Sequence, residues 1–267
     1  MVTHDATLWS ARDPLPARIP ARGPFGAAFA FHPSVGSTND LARAAAAQGA
    51  PEGLVIAADE QTAGRGRHGR RWESPPGASL LCSILLRPDL PPSLAPRAGT
   101  YVALAAATAI EEATGIPIAL KWPNDLLVGG RKVAGVLAES GSMAEHLDFV
   151  VVGLGLNVHW HPDDPTTTAL DAAAGRILAR RDLLVALLTH LARWRPHLEP
   201  DPRDRLLGAW RGRLVTLGRA VVVRGPDLAL EGRAVRVERD GGLVVRDAAG
   251  AEHVVHAADV TLRAASP

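Results

Sequence analysis

Three short apolar runs, residues 54–58, 79–86 and 149–158, constrain the fold more than any other feature of this sequence. Each is bounded by Gly, Pro or polar residues and is far too short to span a membrane as a helix, so each reads as a β-strand. Helix signatures alternate with them. Ser37-Thr38-Asn39-Asp40 is an N-cap cluster ahead of an alanine-rich stretch stopped by Gly49, and residues 101–114 form a second helix closed by Gly115. Further strands are predicted at 118–121, 126–128 and 133–139, the last two joined through Gly129-Gly130, a hairpin signal. Leu184, Leu187, Leu188, Leu191 and Trp194 recur at helical spacing. Residues 1–33 are rich in Pro, Gly and Ala without a period, and are expected to form a loosely ordered lead-in. From 212 to 267 the chain changes character. Short valine-rich strands are punctuated by Gly225-Pro226, Asp240-Gly241-Gly242 and Gly250, the pattern of a small barrel or sandwich. A boundary near residue 211 therefore separates a main unit, 34–211, from a terminal β unit, 212–267.

Charge narrows the function classes. Against 29 Lys+Arg stand 28 Asp+Glu, a formal net charge of +1. A bulk binder of nucleic acid or anionic membrane carries a large positive excess, so neither DNA nor membrane is an expected partner. No signal-peptide stretch opens the chain, and the single cysteine, Cys82, sits in an apolar run as a core residue. A cytoplasmic protein is expected. Only two of the 29 basic residues are lysines, Lys121 and Lys132. A chain that uses arginine wherever any cation serves keeps lysine where a compact ammonium is wanted.

The run Gly64-Arg65-Gly66-Arg67-His68-Gly69-Arg70-Arg71 carries the sharpest chemistry. It satisfies G-x-G-x-x-G after a strand, but a dinucleotide loop must open directly into a helix. Here Ser74-Pro75-Pro76 follows shortly. A protein-kinase loop fails too, because no H-R-D catalytic loop exists. Four arginines in eight residues repel one another unless something negative lies among them, and the glycines let backbone N–H groups fold around it. The run reads as an anion-clamping loop with Trp72 as a flat apolar wall. A solvated surface loop and an RGG-like RNA contact are the competing readings; the flanking strands and neutral charge oppose the second. His159-Trp160-His161 lacks a supporting ligand set and reads as a polar loop, so no metal site is expected.

Five segments in order resemble the biotin–protein ligases: Ser37-Thr38-Asn39; Gln61 through Trp72; Lys121-Trp122-Pro123-Asn124-Asp125; Arg131-Lys132-Val133-Ala134-Gly135-Val136-Leu137-Ala138-Glu139; and Gly153-Leu154-Gly155-Leu156-Asn157-Val158. The resemblance implies an α+β fold, a class II synthetase-like mixed sheet with flanking helices plus a C-terminal SH3-like β-barrel. It implies ATP and biotin as substrates, with Mg2+ arriving on ATP, and biotinyl-5′-AMP as intermediate. The acceptor would be a lysine of a biotin carboxyl carrier protein or domain, as in acetyl-CoA carboxylase. Carried over by position, Ser37, Thr38, Asn39 and Gln61 would meet biotin, and Gly64, Arg65, Gly66 and Arg67 would close over biotin and the adenylate. Lys132 and Gly135 would lie at the biotin carboxylate and α-phosphate. Arg70, Trp72, Asn124 and Asn157 would face the nucleotide.

The residues themselves suit that chemistry. A carboxylate approaching a phosphate brings two anions together, and a cation between them lowers the barrier. Lys132, just after a hairpin, is placed to be held rigidly for this. Arg65 and Arg67 are the expected working charges of a lid that keeps water from a reactive acyl-adenylate. Asp125, the one carboxylate in its motif, either positions or deprotonates the incoming amine or caps a turn. Gly153-Leu154-Gly155 could equally be a tight strand end. The nearest rival is a lipoate–protein ligase, which shares fold and adenylation; a non-catalytic RNA-binding module is more remote. Some family members add an N-terminal DNA-binding domain; with 36 residues before Ser37 and no pair of amphipathic helices, a monofunctional ligase is expected. Many relatives pair into homodimers, so a homodimer is possible here.

Overall fold

The computed structural model describes residues 7–143, 146–225, 228–256 and 258–262. Its main unit is a seven-stranded sheet built from β1 (Phe29–Val35), β2 (Val55–Gln61), β3 (Ser79–Leu86), β4 (Ala119–Lys121), β5 (Asp125–Val128), β6 (Arg131–Met143) and β7 (His146–Asn157). The order is β1-β2-β3-β7-β6-β5-β4. Only β1 and β2 run parallel, joined through the crossover helix α2 (Thr38–Ala47); every other pair is antiparallel.

All eight residues of β3 are buried, which explains a run with no polar alternation. Side chains alternate between the two faces of a strand. Leu80, Cys82, Ile84 and Leu86 join the larger core with α3 (Pro96–Thr114), Leu170 of α4 (Leu170–Ala174) and α5 (Arg180–Trp194), while Leu85 packs with Ala42 and Ala46 of α2. Helices thus cover both faces. Helix α3 begins five residues before the apolar period suggests, because Pro96 occupies the first turn, where its missing N–H costs nothing. Strand β6 runs on through Ser140-Gly141, polar residues that read as loop but pair with Val150 and Phe149 of β7.

The terminal unit is a five-stranded antiparallel sheet of β8 (Ala220–Gly225), β9 (Leu228–Val237), β10 (Leu243–Arg246), β11 (Glu252–Val255) and β12 (Asp259–Leu262), ordered β11-β10-β9-β8-β12. Strand β12 carries too few apolar residues to announce itself in the sequence. The change of architecture falls between α6 (Arg205–Arg211) and Ala220. The connecting segment pairs with β4, Leu120 N–H donating to Arg213 O at 2.9 Å, and Trp122 Nε1 donates to Gly241 O at 2.8 Å. Val221, Val223 and Leu243 belong to the same apolar cluster as the main sheet.

One expectation is corrected. The lead-in is built into the fold. Residues 7–12 form α1 (Thr7–Arg12), β1 begins at Phe29, and Leu15 and Phe25 are 4% and 0% exposed. Residues 1–6 lie outside the described residues. The segment lacks a period because it is a strap whose polar groups are satisfied by tertiary bonds rather than by a ladder. Asp13 accepts from Arg180 N at 2.7 Å and Nε at 3.2 Å and lies 3.1 Å from His159 Nε2, while Trp9 stacks on the His159 ring at 4.4 Å. Among the described residues no helix is long and apolar enough to cross a membrane.

Candidate active site

Helix α2 and the neighbouring strands set one wall. Ser37 is the N-cap of the helix that starts at Thr38, as expected, but its hydroxyl bonds nothing among the described residues and is left buried at the cavity edge. Thr38 and Asn39 turn onto the sheet. Thr38 Oγ1 lies 3.0 Å from Gln61 Oε1, and the Ser83 hydroxyl from β3 is 2.7 Å from Thr38 Oγ1 and 2.6 Å from Asn39 Oδ1. Asn39 Nδ2 donates to Glu139 Oε2 at 2.7 Å. The Asn39 amide is therefore spent on bracing the wall, whereas the Ser37 hydroxyl is unbonded. Ser83 lies outside every motif, Glu139 closes the segment that carries Lys132, and tertiary packing brings both here.

The two glycines of Gly153-Leu154-Gly155 lie inside β7 rather than at its end. A Cβ on Gly153 would sit 2.5 Å from Asn39 Oδ1, and one on Gly155 would sit 2.4 Å from Trp72 Cε2. Glycine is required at both because a side chain lies directly on the strand. Gly155→Ala should push the Trp72 ring off the sheet at a cost of about 1–3 kcal/mol. Thermal melts of variant and wild type check this, with a Tm lower by roughly 2–12 °C expected; an unchanged Tm would show that the ring does not rest on the strand.

The glycine–arginine loop is a hairpin. Trp72 N–H donates to Gly64 O at 3.0 Å and Gly66 N–H to Arg70 O at 2.7 Å, with His68 and Gly69 at φ +55° and +72° making the turn. A Cβ on Gly64 would meet Trp72 O at 2.5 Å, so the hairpin closes only on glycine there. The negative partner that four arginines need is partly the protein's own. Arg65 grips Asp40 through two 2.7 Å bonds and reaches Glu139 Oε2 at 3.2 Å. These bonds push the Arg65 guanidinium up from its ordinary value and hold the Asp40 carboxyl below the usual range. Arg70 pairs with Asp259 of β12, and Arg71 donates to Thr62 O. Arg67 forms no ion pair among the described residues, although Asp259 and Asp125 act on it at longer range. It donates to Ala258 O at 3.3 Å, and burial pushes its guanidinium below the ordinary value. A half-buried cation on a cavity wall with no ion pair of its own gains from an anionic ligand.

Lys132 stands where two cavities meet. One, of about 340 Å³, runs from Ser37, Thr38, Asn39 and Gln61 to Lys132; the other, of about 490 Å³, runs on past Asn157 to Pro162 and Thr167. Arg70, Trp72, Lys121, Asp125 and Lys132 line both. Lys132 Nζ is 2.6 Å from Asp125 Oδ1 and 5.8 Å from the Trp72 ring centroid, and lies 3.3 Å from where a Gly135 Cβ would be. Its backbone is clamped on both sides, N–H to Thr166 O at 2.7 Å and O from Thr168 N–H at 2.9 Å. Asp125 thus pairs with Lys132, a contact that its place in the Lys-Trp-Pro-Asn-Asp motif does not announce.

Two buried polar atoms lack a partner among the described residues, Trp72 Nε1 and Asn157 Oδ1, while Asn157 Nδ2 donates to Thr168 O. Trp72 lines both cavities and Asn157 the second, where a heteroaromatic base offers donors, acceptors and a face. Asn124 spends its Nδ2 on Val136 O at 2.8 Å, bracing β6, yet still lines the first cavity. The Trp122-Pro123 peptide is cis. Among the described residues no cluster of His, Cys, Asp and Glu is arranged to hold a metal ion.

Comparison with known proteins points the same way as this geometry. Residues 31–157 match a family model described as the Biotin/lipoate A/B protein ligase family. The chain is 37% identical over 240 residues to the biotin–[acetyl-CoA-carboxylase] ligase of Mycobacterium tuberculosis, covering 84% of this chain and 85% of that one. It is 32% identical over 239 residues to the bifunctional ligase/repressor BirA of Bacillus subtilis, covering 87% and 73%. Among solved structures, the biotin protein ligase of Aquifex aeolicus in complex with biotin and ATP superposes with TM-score 0.74 at 27% identity, over 89% of this chain and 99% of that one. The Leishmania major biotin protein ligase in complex with biotinyl-5-AMP superposes with TM-score 0.61 at 25% identity, over 86% and 99%. With two adjoining cavities joined at a clamped lysine and relatives of this likeness, the chain belongs to the biotin–protein ligases.

Proposed function

We propose that this protein uses ATP to activate biotin as biotinyl-5′-AMP and passes the acyl group to a lysine ε-amine of a biotin carboxyl carrier domain. The observation that carries this reading is Lys132, fixed by Asp125 at 2.6 Å on the wall shared by the two cavities. Biotin would occupy the first cavity, with Ser37, Thr38 and Gln61 toward its ring. ATP would occupy the second, its base against Trp72 and Asn157. A biotin carboxylate oxygen then attacks the α-phosphorus, the bond to the bridging oxygen breaks, and pyrophosphate leaves with that electron pair. Lys132 offsets the repulsion between the two anions as they meet. The amine next attacks the acyl carbon, loses its proton, and AMP departs. No protein nucleophile enters either step. Magnesium would arrive with ATP, and the unpaired acceptors of the triphosphate suit it without a dedicated cage. A cytoplasmic location accords with ATP as substrate and with a single, buried, unpaired cysteine. Incubation with biotin, ATP and a carrier domain should add one biotinyl group at one lysine, read by mass spectrometry; an unmodified carrier would refute the transfer.

The lid's arginines divide their work in this reading. Arg65 staples the loop to α2 and β6, and Arg67 faces the adenylate. Arg67→Gly should release biotinyl-5′-AMP into solution at least tenfold faster and biotinylate bystander lysines. Asp40→Asn should have a milder effect, about two- to fivefold, because a half-exposed ion pair contributes little. Adenylate dissociation followed by rapid filtration checks both; equal retention by wild type and Arg67→Gly would remove Arg67 from the lid.

A further inference from the structure

Six cations line the two cavities: Arg65, Arg67, Arg70, Arg71, Lys121 and Lys132. Five of them have a partner inside the protein. Arg65 holds Asp40 and Glu139, Arg70 holds Asp259, Lys132 holds Asp125, and Arg67 and Arg71 donate to the carbonyls of Ala258 and Thr62. Only the Lys121 ammonium has no partner among the described residues, although it lines both cavities.

Its place in the sheet makes that absence informative. Lys121 ends β4 directly opposite Asp125 on β5, so both side chains leave the sheet on the same face. Asp125 nevertheless points its carboxylate at Lys132, 2.6 Å away, and no ion pair joins it to Lys121. One carboxylate between two lysines leaves one positive charge in excess, and the geometry assigns that excess to Lys121. The composition says the same independently, since these are the chain's only two lysines among 29 basic residues. A compact ammonium with three rotatable donors can follow an anion that changes position during a reaction.

We infer that Lys121 binds the β- and γ-phosphates of ATP and stabilises the departing pyrophosphate. This rests on the adenylation reading above and extends it to the leaving group. As the carboxylate attacks the α-phosphorus, negative charge grows on the bridging oxygen that leaves with pyrophosphate. Lys132 is occupied at the carboxylate and α-phosphate and is already half-neutralised by Asp125. A second, uncompensated cation on the shared wall meets the other end of the breaking bond. Electrostatic stabilisation of developing charge by a single donor is worth about 10²–10³ in rate.

The half-reactions separate this role from others. With the full chain, Lys121→Gln should form biotinyl-5′-AMP about 10²-fold more slowly in single turnover. In the reverse reaction, the pyrophosphate concentration needed to make ATP from enzyme-bound adenylate should rise roughly tenfold. Transfer from supplied biotinyl-5′-AMP to a carrier domain should stay within about twofold, since pyrophosphate is absent from that step. Lys121→Arg, which keeps the charge, should recover part of the adenylation rate and tests the idea even if Lys121→Gln folds poorly. Wild-type adenylation or pyrophosphate dependence in Lys121→Gln would overturn the inference. So would equal slowing of both half-reactions, or, if Lys121→Gln misfolds, carrier transfer slowed as much as adenylation in Lys121→Arg. A wild-type chain without biotin-dependent pyrophosphate exchange would overturn the adenylation reading and this inference together.

Discussion

Lys132→Met should lower the rate of biotinyl-5′-AMP formation by roughly 10²–10³-fold while leaving the fold intact. The side chain is a third exposed and makes one ion pair, so its loss removes little packing. Its position is another matter. The backbone is clamped by Thr166 and Thr168, Asp125 fixes Nζ, and the glycine at 135 leaves just enough room for the aliphatic stem. Lys132→Arg should therefore rescue poorly, because a planar guanidinium cannot fill the space between Gly135, Trp72 and Asp125. Asp125→Asn should slow the same step less, since the amide keeps a hydrogen-bond acceptor for the ammonium. Single-turnover adenylation with melting curves on the same samples checks all three. Normal adenylation by Lys132→Met would remove the lysine from the chemistry.

Asp13→Ala should have the opposite profile, a large loss of stability with little direct effect on chemistry. Arg180 is fully buried and is held by Asp13, by Asp59 at 2.8 Å, and by the carbonyls of Ser79 and Asp13. Removing one partner from a buried ion network leaves charge uncompensated, which costs about 3 kcal/mol and lowers Tm by roughly 6–12 °C in a chain of this size. The pH dependence has a definite sign. Burial pushes the Asp13 carboxyl up, but the bonds from His159 and Arg180 outweigh it and hold the group below its ordinary value of 3.8. Its stabilising effect is therefore full above the unfolded value and is lost as pH falls through the lower folded value. Wild type should lose this increment below about pH 4, and Asp13→Ala should lack that part of the acid limb. Urea titrations at pH 7 and below pH 4 measure both; an Asp13→Ala variant as stable as wild type would detach the lead-in from the core.

The two variants also show which parts of this protein are legible in its sequence. The motif residues around Lys132 and Trp72 are local in sequence, and their types state their chemistry. Asp13 lies in a segment without periodicity, and nothing within 1–33 indicates that its partners are Arg180 and His159, more than 140 positions away. The same holds for Ser83, Asp40, Glu139 and Asp259, which brace the cavity or the lid from four separate elements. Their roles arise from strand order and register, which put β3 beside β7 and the terminal sheet over the lid. The glycines at 153 and 155 look like a strand end in sequence; only the side chains lying on them explain their place inside β7.

If the two cavities hold biotin and ATP, the carboxylate attacks the α-phosphate directly. Isotope exchange between pyrophosphate and ATP measures that step alone, without a carrier protein. Direct attack requires exchange that depends on biotin, is unaffected by lipoate, and falls at least 10²-fold in Lys132→Met. Exchange driven by lipoate instead, or none with either acid, would contradict it.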